Sequence, residues 1–401
     1  MPRFDELDRL GDAIAQVYAD CTDRLLVNLA RHFRYLKPGE EPGGAFQWQA
    51  RKLAQFGQVN AENVRIIRGM LADVPEEVTD GLEQAILDAL DDVEPALRKA
   101  AEAGLLGAQA PSEVDPRTMR AFELYYQQSA DKLDLVNTRM LESTAEAYRG
   151  MVSEITLGMR AQETRQILNA ATGEVLTGVE SFNTALQTAT RRMLDKGLTG
   201  FVDAGDHHWQ PETYASMVMR TTYHNVSRAA FWERNEDYGN DLYLVSQHPG
   251  ARPLCYPWQC KVISRLETPS RWTTDGAGNP VQVWAQEETS YGEPAGLFGI
   301  NCGHHPELFV PGATMVPEVR QDEEQNAKQY AESQKHRALE REFRKARTEY
   351  AIAKEQGAPD AEQKKLREKL KDADAQLDRF TKATGRKRRR EREYRMGGKA
   401  S

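Results

Sequence analysis

Apolar positions recur with a helical period through most of the 401-residue chain. Leu10, Ile14, Val17, Cys21, Leu25 and Leu29 predict a helix over 5–34, and Lys37-Pro38-Gly39 through Gly43-Gly44 ends it. Further helices are expected over 46–57, 60–73 and 79–103, the last with Leu82, Ile86, Leu90 and Val93 on one face. Together they predict an N-terminal helical bundle over 1–110, closed by the turn-prone stretch Ala110-Pro111 to Pro116. A long-helix region, 111–240, carries the stripe onward through Phe122, Tyr126, Leu133, Val136 and Met140, then Ile155 and Met159. Its final helix runs from about Pro211 to Glu236.

The pattern changes after Asp241. Leu242-Tyr243-Leu244-Val245, Lys261-Val262-Ile263 and Val281-Gln282-Val283-Trp284 read as short strands, with a turn from Asp275-Gly276 to Asn279-Pro280. This predicts a compact, mixed or β-rich module over 241–320. Residues 321–401 return to the helical period. Leu339, Phe343, Ala346 and Tyr350 form one narrow stripe; Leu366, Leu370, Ala373, Leu377 and Phe380 form another. Between them, Gln356-Gly357-Ala358-Pro359-Asp360 places glycine where a helix ends and Pro-Asp where the next begins. The expectation is a C-terminal helical hairpin whose seam meets itself or a partner chain. The fold class predicted is α+β, predominantly α.

Composition adds direction. Residues 321–401 hold 23 Lys+Arg against 16 Asp+Glu, and residues 1–320 hold 30 against 45, so a −15 body carries a +7 end within a net charge of −8. Such an end meets something anionic, nucleic acid or an acidic protein surface. Its densest part is Arg386, Lys387, Arg388, Arg389 and Arg390, followed by Arg392 and Arg395. A cationic block of this kind contacts phosphate without a fixed fold. No apolar run is long enough for a membrane span and the first residues do not read as a signal peptide, so a cytosolic origin with no membrane partner is expected. Four cysteines, three of them between Cys255 and Cys302, form no disulfide framework.

They pose instead a question of local chemistry. His248, Cys255, Cys260, Cys302, His304 and His305 gather thiols and imidazoles into one short stretch, and zinc takes four such ligands in a tetrahedron. The spacing is not that of a standard finger, so buried cysteines and hydrogen-bonded histidines stand as the other reading. A thiol nucleophile at Cys302 needs an oriented base, which a histidine one residue away seldom provides. With no Gly-x-Ser-x-Gly, P-loop or His-Glu-x-x-His pattern, the chain reads as a non-enzyme. Arg252, Gln259 and Lys261 read as loop ties before anion ligands. Trp258, Trp272, Trp284, Tyr291 and Phe298 read as core before a nucleic-acid stacking surface.

Two separated stretches, SQHPGARPLCYPWQCKV (Ser246–Val262) and YGEPAGLFGINCGHH (Tyr291–His305), carry a resemblance. With Met219-Arg220-Thr221-Thr222 before them and YAESQKHRALEREFRKAR after, they resemble the phage minor capsid protein 2 family, akin to Mu F-type head morphogenesis proteins. The resemblance implies a virion component of a tailed phage, assembled in the host cytoplasm. It implies association with the portal vertex and with head assembly or DNA packaging, and partners in the portal protein, the major capsid protein and packaged DNA. It marks Arg252, Trp258, Gln259, Lys261 and Asn301 as structural motif residues. Because relatives place glycine where this chain has Cys260, it narrows any zinc set to His248, Cys255, Cys302 and His304. Two rivals from other classes are a metal-dependent or thiol enzyme carried in the particle, and a DNA-binding module.

Overall fold

The computed structural model describes residues 4–107, 116–169, 178–196, 201–202, 208–266, 271–388 and 393. Eight α-helices dominate the described residues: α1 (Phe4–Arg31), α2 (Ala45–Met70), α3 (Val74–Glu102), α4 (Pro116–Asn169), α5 (Gly178–Lys196), α6 (Pro211–Asp237), α7 (Glu323–Glu355) and α8 (Asp360–Thr384). A two-residue pair, β1 (Phe201–Val202) with β2 (His208–Trp209), precedes α6. The mixed module adds β3 (Leu242–Val245), β4 (Val262–Ser264), β5 (Arg271–Thr274), β6 (Pro280–Ala285) and β7 (Pro306–Leu308).

The chain forms two compact units, each drawn from three separate stretches. The first takes Met1–Ile14, Asp73–Leu133 and Ala215–Lys335; the second takes Ala15–Ala72, Asp134–Tyr214 and His336–Ser401. Helices from the first 110 residues therefore serve both units. The helix breaks expected around residues 57–60 are absent: α2 runs through Gly57 without interruption. One interior glycine costs only about 1 kcal/mol, which packing of Ala45, Trp48, Val59 and Ile67 readily offsets.

In the first unit the sheet order is β5-β6-β4-β3-β7, with β4 and β6 parallel and all other neighbours antiparallel. Alternation sorts its two faces. Leu242, Leu244, Val262 and Val283 meet Phe309 on one face. On the other face, Tyr243, Val245 and Ile263 pack with Val93 and Leu97 of α3 and Phe231 of α6. Strands β5 and β7 escape the sequence pattern because Arg-Trp-Thr-Thr and Pro-Glu-Leu are short sheet edges without an alternating apolar row. In the second unit, Leu29 and Phe33, Trp48, Tyr148, Ile155, Phe182 and Ile352 share one core. The hairpin turns where anticipated: Gly357 takes φ 68°, and the Ala358 amide donates back to the Ala353 carbonyl at 2.9 Å.

A charged network ties α3 to α6. Arg234 donates through Nε to Glu94 at 2.5 Å and through Nη2 at 2.9 Å, while the Tyr238 hydroxyl adds a bond to Glu94 at 2.9 Å. Hydrogen bonds from Arg234 hold the Glu94 carboxyl down at about 2, against an ordinary 4.5. A depressed carboxyl stabilises the fold above its unfolded value, and that contribution disappears as pH falls from 4.5 towards 2. Glu94→Gln should cost about 3 kcal/mol at pH 7, because Arg234, only 6% exposed, keeps Asp237 but loses the carboxylate that it grips through two nitrogens. Urea melts of both proteins at pH 7 and pH 3 check this, with the difference expected to shrink in acid.

Candidate functional site

The Cys/His module is built by bringing three loop segments beside the sheet. His248 follows β3, Cys255 enters the short turn Tyr256–Trp258, and Cys302 and His304 lead into β7. Because β3 and β7 are antiparallel neighbours, the loops leaving and entering them run together. The Ser246 amide donates to the His305 carbonyl at 3.1 Å, and the His305 amide donates to Ser246 Oγ at 2.9 Å.

Cys255, Cys302 and His304 converge, with ligand atoms all within 4.8 Å of one another and all three residues buried. The two sulfurs lie 3.8 Å apart, and Cys302 Sγ is 3.4 Å from His304 Nδ1. The intervening residue thus does not keep Cys302 from its histidine, contrary to the expectation from sequence. His248 packs its ring against His304, centroids 4.2 Å apart. Its amide donates to Gln259 Oε1 at 2.7 Å, and its Nδ1 lies 3.2 Å from the Pro249 carbonyl. Cys260 stands apart as a buried residue at φ 58°, a left-handed backbone that favours glycine, the residue that the resemblance implies at this position.

Protonation follows from burial and pairing. The Cys255 thiol and His304 hold Cys302 below the ordinary thiol value, while sharing with Cys302 and burial push Cys255 up. Burial, then the neighbouring His304, lowers His248 to about 4, so its imidazole is neutral near pH 7. Two residues of α6 that the sequence pattern did not single out pack here. His224 is lowered to about 3, chiefly by burial and then by Arg228. The Arg228 guanidinium is 4% exposed, donates to the Phe298 carbonyl at 3.0 Å and bonds Asn225. Burial works against its charge, and among surrounding groups Cys302 contributes the largest favourable field on that cation. Neither residue belongs to a local motif, since both lie about 75 positions from Cys302, inside an ordinary amphipathic helix.

The motif residues hold loops. Arg252 donates to the Ile300 carbonyl at 2.8 Å and the Gly296 carbonyl at 3.3 Å, and Gln259 is buried beneath His248. Trp258 packs edge-to-face on Trp284 at 5.8 Å. Asn301 takes φ 55°, where asparagine is one of few side chains tolerated, and Lys261 is exposed with its backbone paired to Trp258 and Val245. The core reading of the aromatics holds for Phe298 and Trp284 but not for Trp272, which is 69% exposed on edge strand β5. Tyr291 is also largely exposed, though it touches Trp232 and Phe298.

In the basic end, Arg386 is half-buried and Lys387 exposed after α8, whereas Arg388 turns inward. It pairs with Glu393 at 2.5 Å and Asp374 at 2.8 Å, and lies 5.7 Å over the Phe343 ring. Arg388 therefore serves the hairpin. Arg389, Arg390, Arg392 and Arg395 lie outside the described residues. No helix among the described residues is long and apolar enough to cross a membrane.

The family model for phage minor capsid protein 2 matches residues 4–382. A relative described as a structural protein of Lactococcus phage LL-H is 26% identical over 301 residues, covering 75% of each chain. No solved structure matches the chain. A match from residue 4 to residue 382 takes in every helix from α1 to α7, the whole Cys/His module and nearly all of α8: the chain belongs to the phage minor capsid protein 2 family and is a structural component of a phage virion.

Proposed function

We propose that this minor capsid protein sits at the portal vertex of the phage head, where it binds the portal and major capsid proteins and lays its basic end against packaged DNA. The observation that carries the reading is the charge division within a family member: a −15 body followed by a +7 end whose cations cluster beyond the last helix. It works by binding and not by catalysis. A thiol enzyme needs a nucleophile that substrate can reach, and Cys302 is 3% exposed with its sulfur engaged by Cys255 and His304. A free DNA-binding module would act equally well outside particles.

Quantitation of the protein in purified particles tests the assembly reading. Stoichiometric presence that survives nuclease treatment is expected, with cross-links to the portal protein; absence from particles would overturn it. The DNA contact has its own test. Lys387, Arg389, Arg390, Arg392 and Arg395 changed together to Gln leave the Arg388 clasp intact. If each makes one phosphate contact, the slope of log affinity against log salt for duplex DNA should flatten by roughly 4.5. An unchanged slope would assign the basic end to an acidic protein surface.

A further inference from the structure

We infer that Cys255, Cys302, His304 and His248 hold one zinc ion that staples together the loops flanking β3 and β7. This goes beyond the assembly reading and stands independently of it. The first argument is metric. Zinc bonds of about 2.3 Å to sulfur and 2.0–2.1 Å to nitrogen, opened to a tetrahedral angle, set sulfur–sulfur and sulfur–nitrogen edges of about 3.8 and 3.6 Å. The protein holds its two sulfurs 3.8 Å apart and Cys302 Sγ 3.4 Å from His304 Nδ1. Two of the three edges among these donors are thus at bonding separation, and the third lies within 4.8 Å.

The second argument concerns an unmet polar atom. His248 Nε2 is buried without a hydrogen-bond partner. Leaving such an atom unsatisfied costs about 1–3 kcal/mol. With Nδ1–H of His248 donating to the Pro249 carbonyl, its Nε2 keeps a free lone pair, the arrangement in which an outer carbonyl orients a metal-binding imidazole. The same nitrogen lies against Gly303, where an added Cβ would fall 3.0 Å from it. Glycine therefore leaves room for the His248 ring beside the other three donors, and zinc binding would draw its Nε2 into their cluster. Two thiolates and two neutral imidazoles in a closed, dry site match structural zinc better than the oxygen-seeking magnesium or calcium. Binding releases the thiol protons to solvent and links His248 to His304, 56 positions later in the chain.

The test uses the full chain without an affinity tag, purified from cells grown with added zinc. About one zinc per chain is expected, and cobalt substitution should give thiolate-to-cobalt charge transfer with tetrahedral ligand-field bands. Cys302→Ser and His304→Ala should each lose the metal, and His248→Asn should weaken it at least about tenfold. Cys260→Gly and Cys21→Ser should retain it. The cobalt spectrum of the unaltered protein needs no variant to fold. Zinc below about a tenth of an equivalent in folded protein, a cobalt spectrum without thiolate bands, or a Cys255–Cys302 disulfide found by alkylation and mass mapping would each overturn the site. Loss of metal in Cys260→Gly would overturn the assigned ligand set.

Discussion

Replacing Gly296 with alanine is expected to unfold the mixed module, at a stability cost above about 4 kcal/mol. A Cβ at this position would overlap the Ser290 carbonyl oxygen and fall 2.9 Å from its carbon. The obstacle is backbone, so no side-chain rotation relieves it. Nor can the loop shift cheaply. The Gly296 amide donates to Glu293 at 2.9 Å, its carbonyl accepts from Arg252, and Ser290 Oγ bonds both Leu254 and Leu297. Gly57→Ala is the contrasting change: nothing lies within 4 Å of that helical site, and alanine there should stabilise by up to about 1 kcal/mol. Urea melts followed by tryptophan fluorescence and circular dichroism compare the two. A loss below about 1 kcal/mol for Gly296→Ala would show that the loop has slack which its hydrogen bonds deny.

That contrast also explains what could be read in advance. Gly296 and Gly299 look like Gly57 in sequence, yet the first two are demanded by close backbone approach and Gly57 is merely tolerated. Helices were legible because each carries an apolar stripe over many turns, as in α3 from Leu82 to Leu97 and in the hairpin pair. The parallel pairing of β4 with β6, and the assembly of each unit from three stretches, depend on contacts distant in sequence, which periodicity does not encode. The Glu94–Arg234 network, spanning 140 positions, was equally invisible.

The candidate site was legible in residue type and only partly in geometry. Cys255, Cys302 and His304 stood out because thiols and imidazoles are scarce in this chain, and the fold brings them together. Arg228 and His224 had no such signal, for an arginine or histidine on a helix is ordinary until its surroundings are known. Arg388 misled in the opposite direction. Within a run of cations it read as one more anion contact, whereas Glu393 and Asp374 draw it into the hairpin.

Leu377→Asp should destabilise the second unit by several kcal/mol, while Lys371→Asp should change stability by no more than about 0.5 kcal/mol. Leu377 is 0% exposed, whereas the Lys371 side chain is 60% exposed and pairs only with Glu368. The stripe's remaining members, Leu366, Leu370, Ala373 and Phe380, are half-buried. Contacts of Lys369 with Glu349 at 2.5 Å and of Phe380 with His336 bring α8 against α7, so the seam closes within the hairpin. Burial disfavours the charged carboxylate, which raises the folded-state value of the new aspartate above its unfolded value of about 3.9. The unfolded chain then releases its proton first, and the variant should lose about 1.4 kcal/mol per pH unit above that value until the folded carboxyl also ionises. Leu377→Asn has no such proton and supplies the reference. Denaturant melts of the two variants between pH 4 and pH 7 should diverge with rising pH; parallel curves would place position 377 in contact with water.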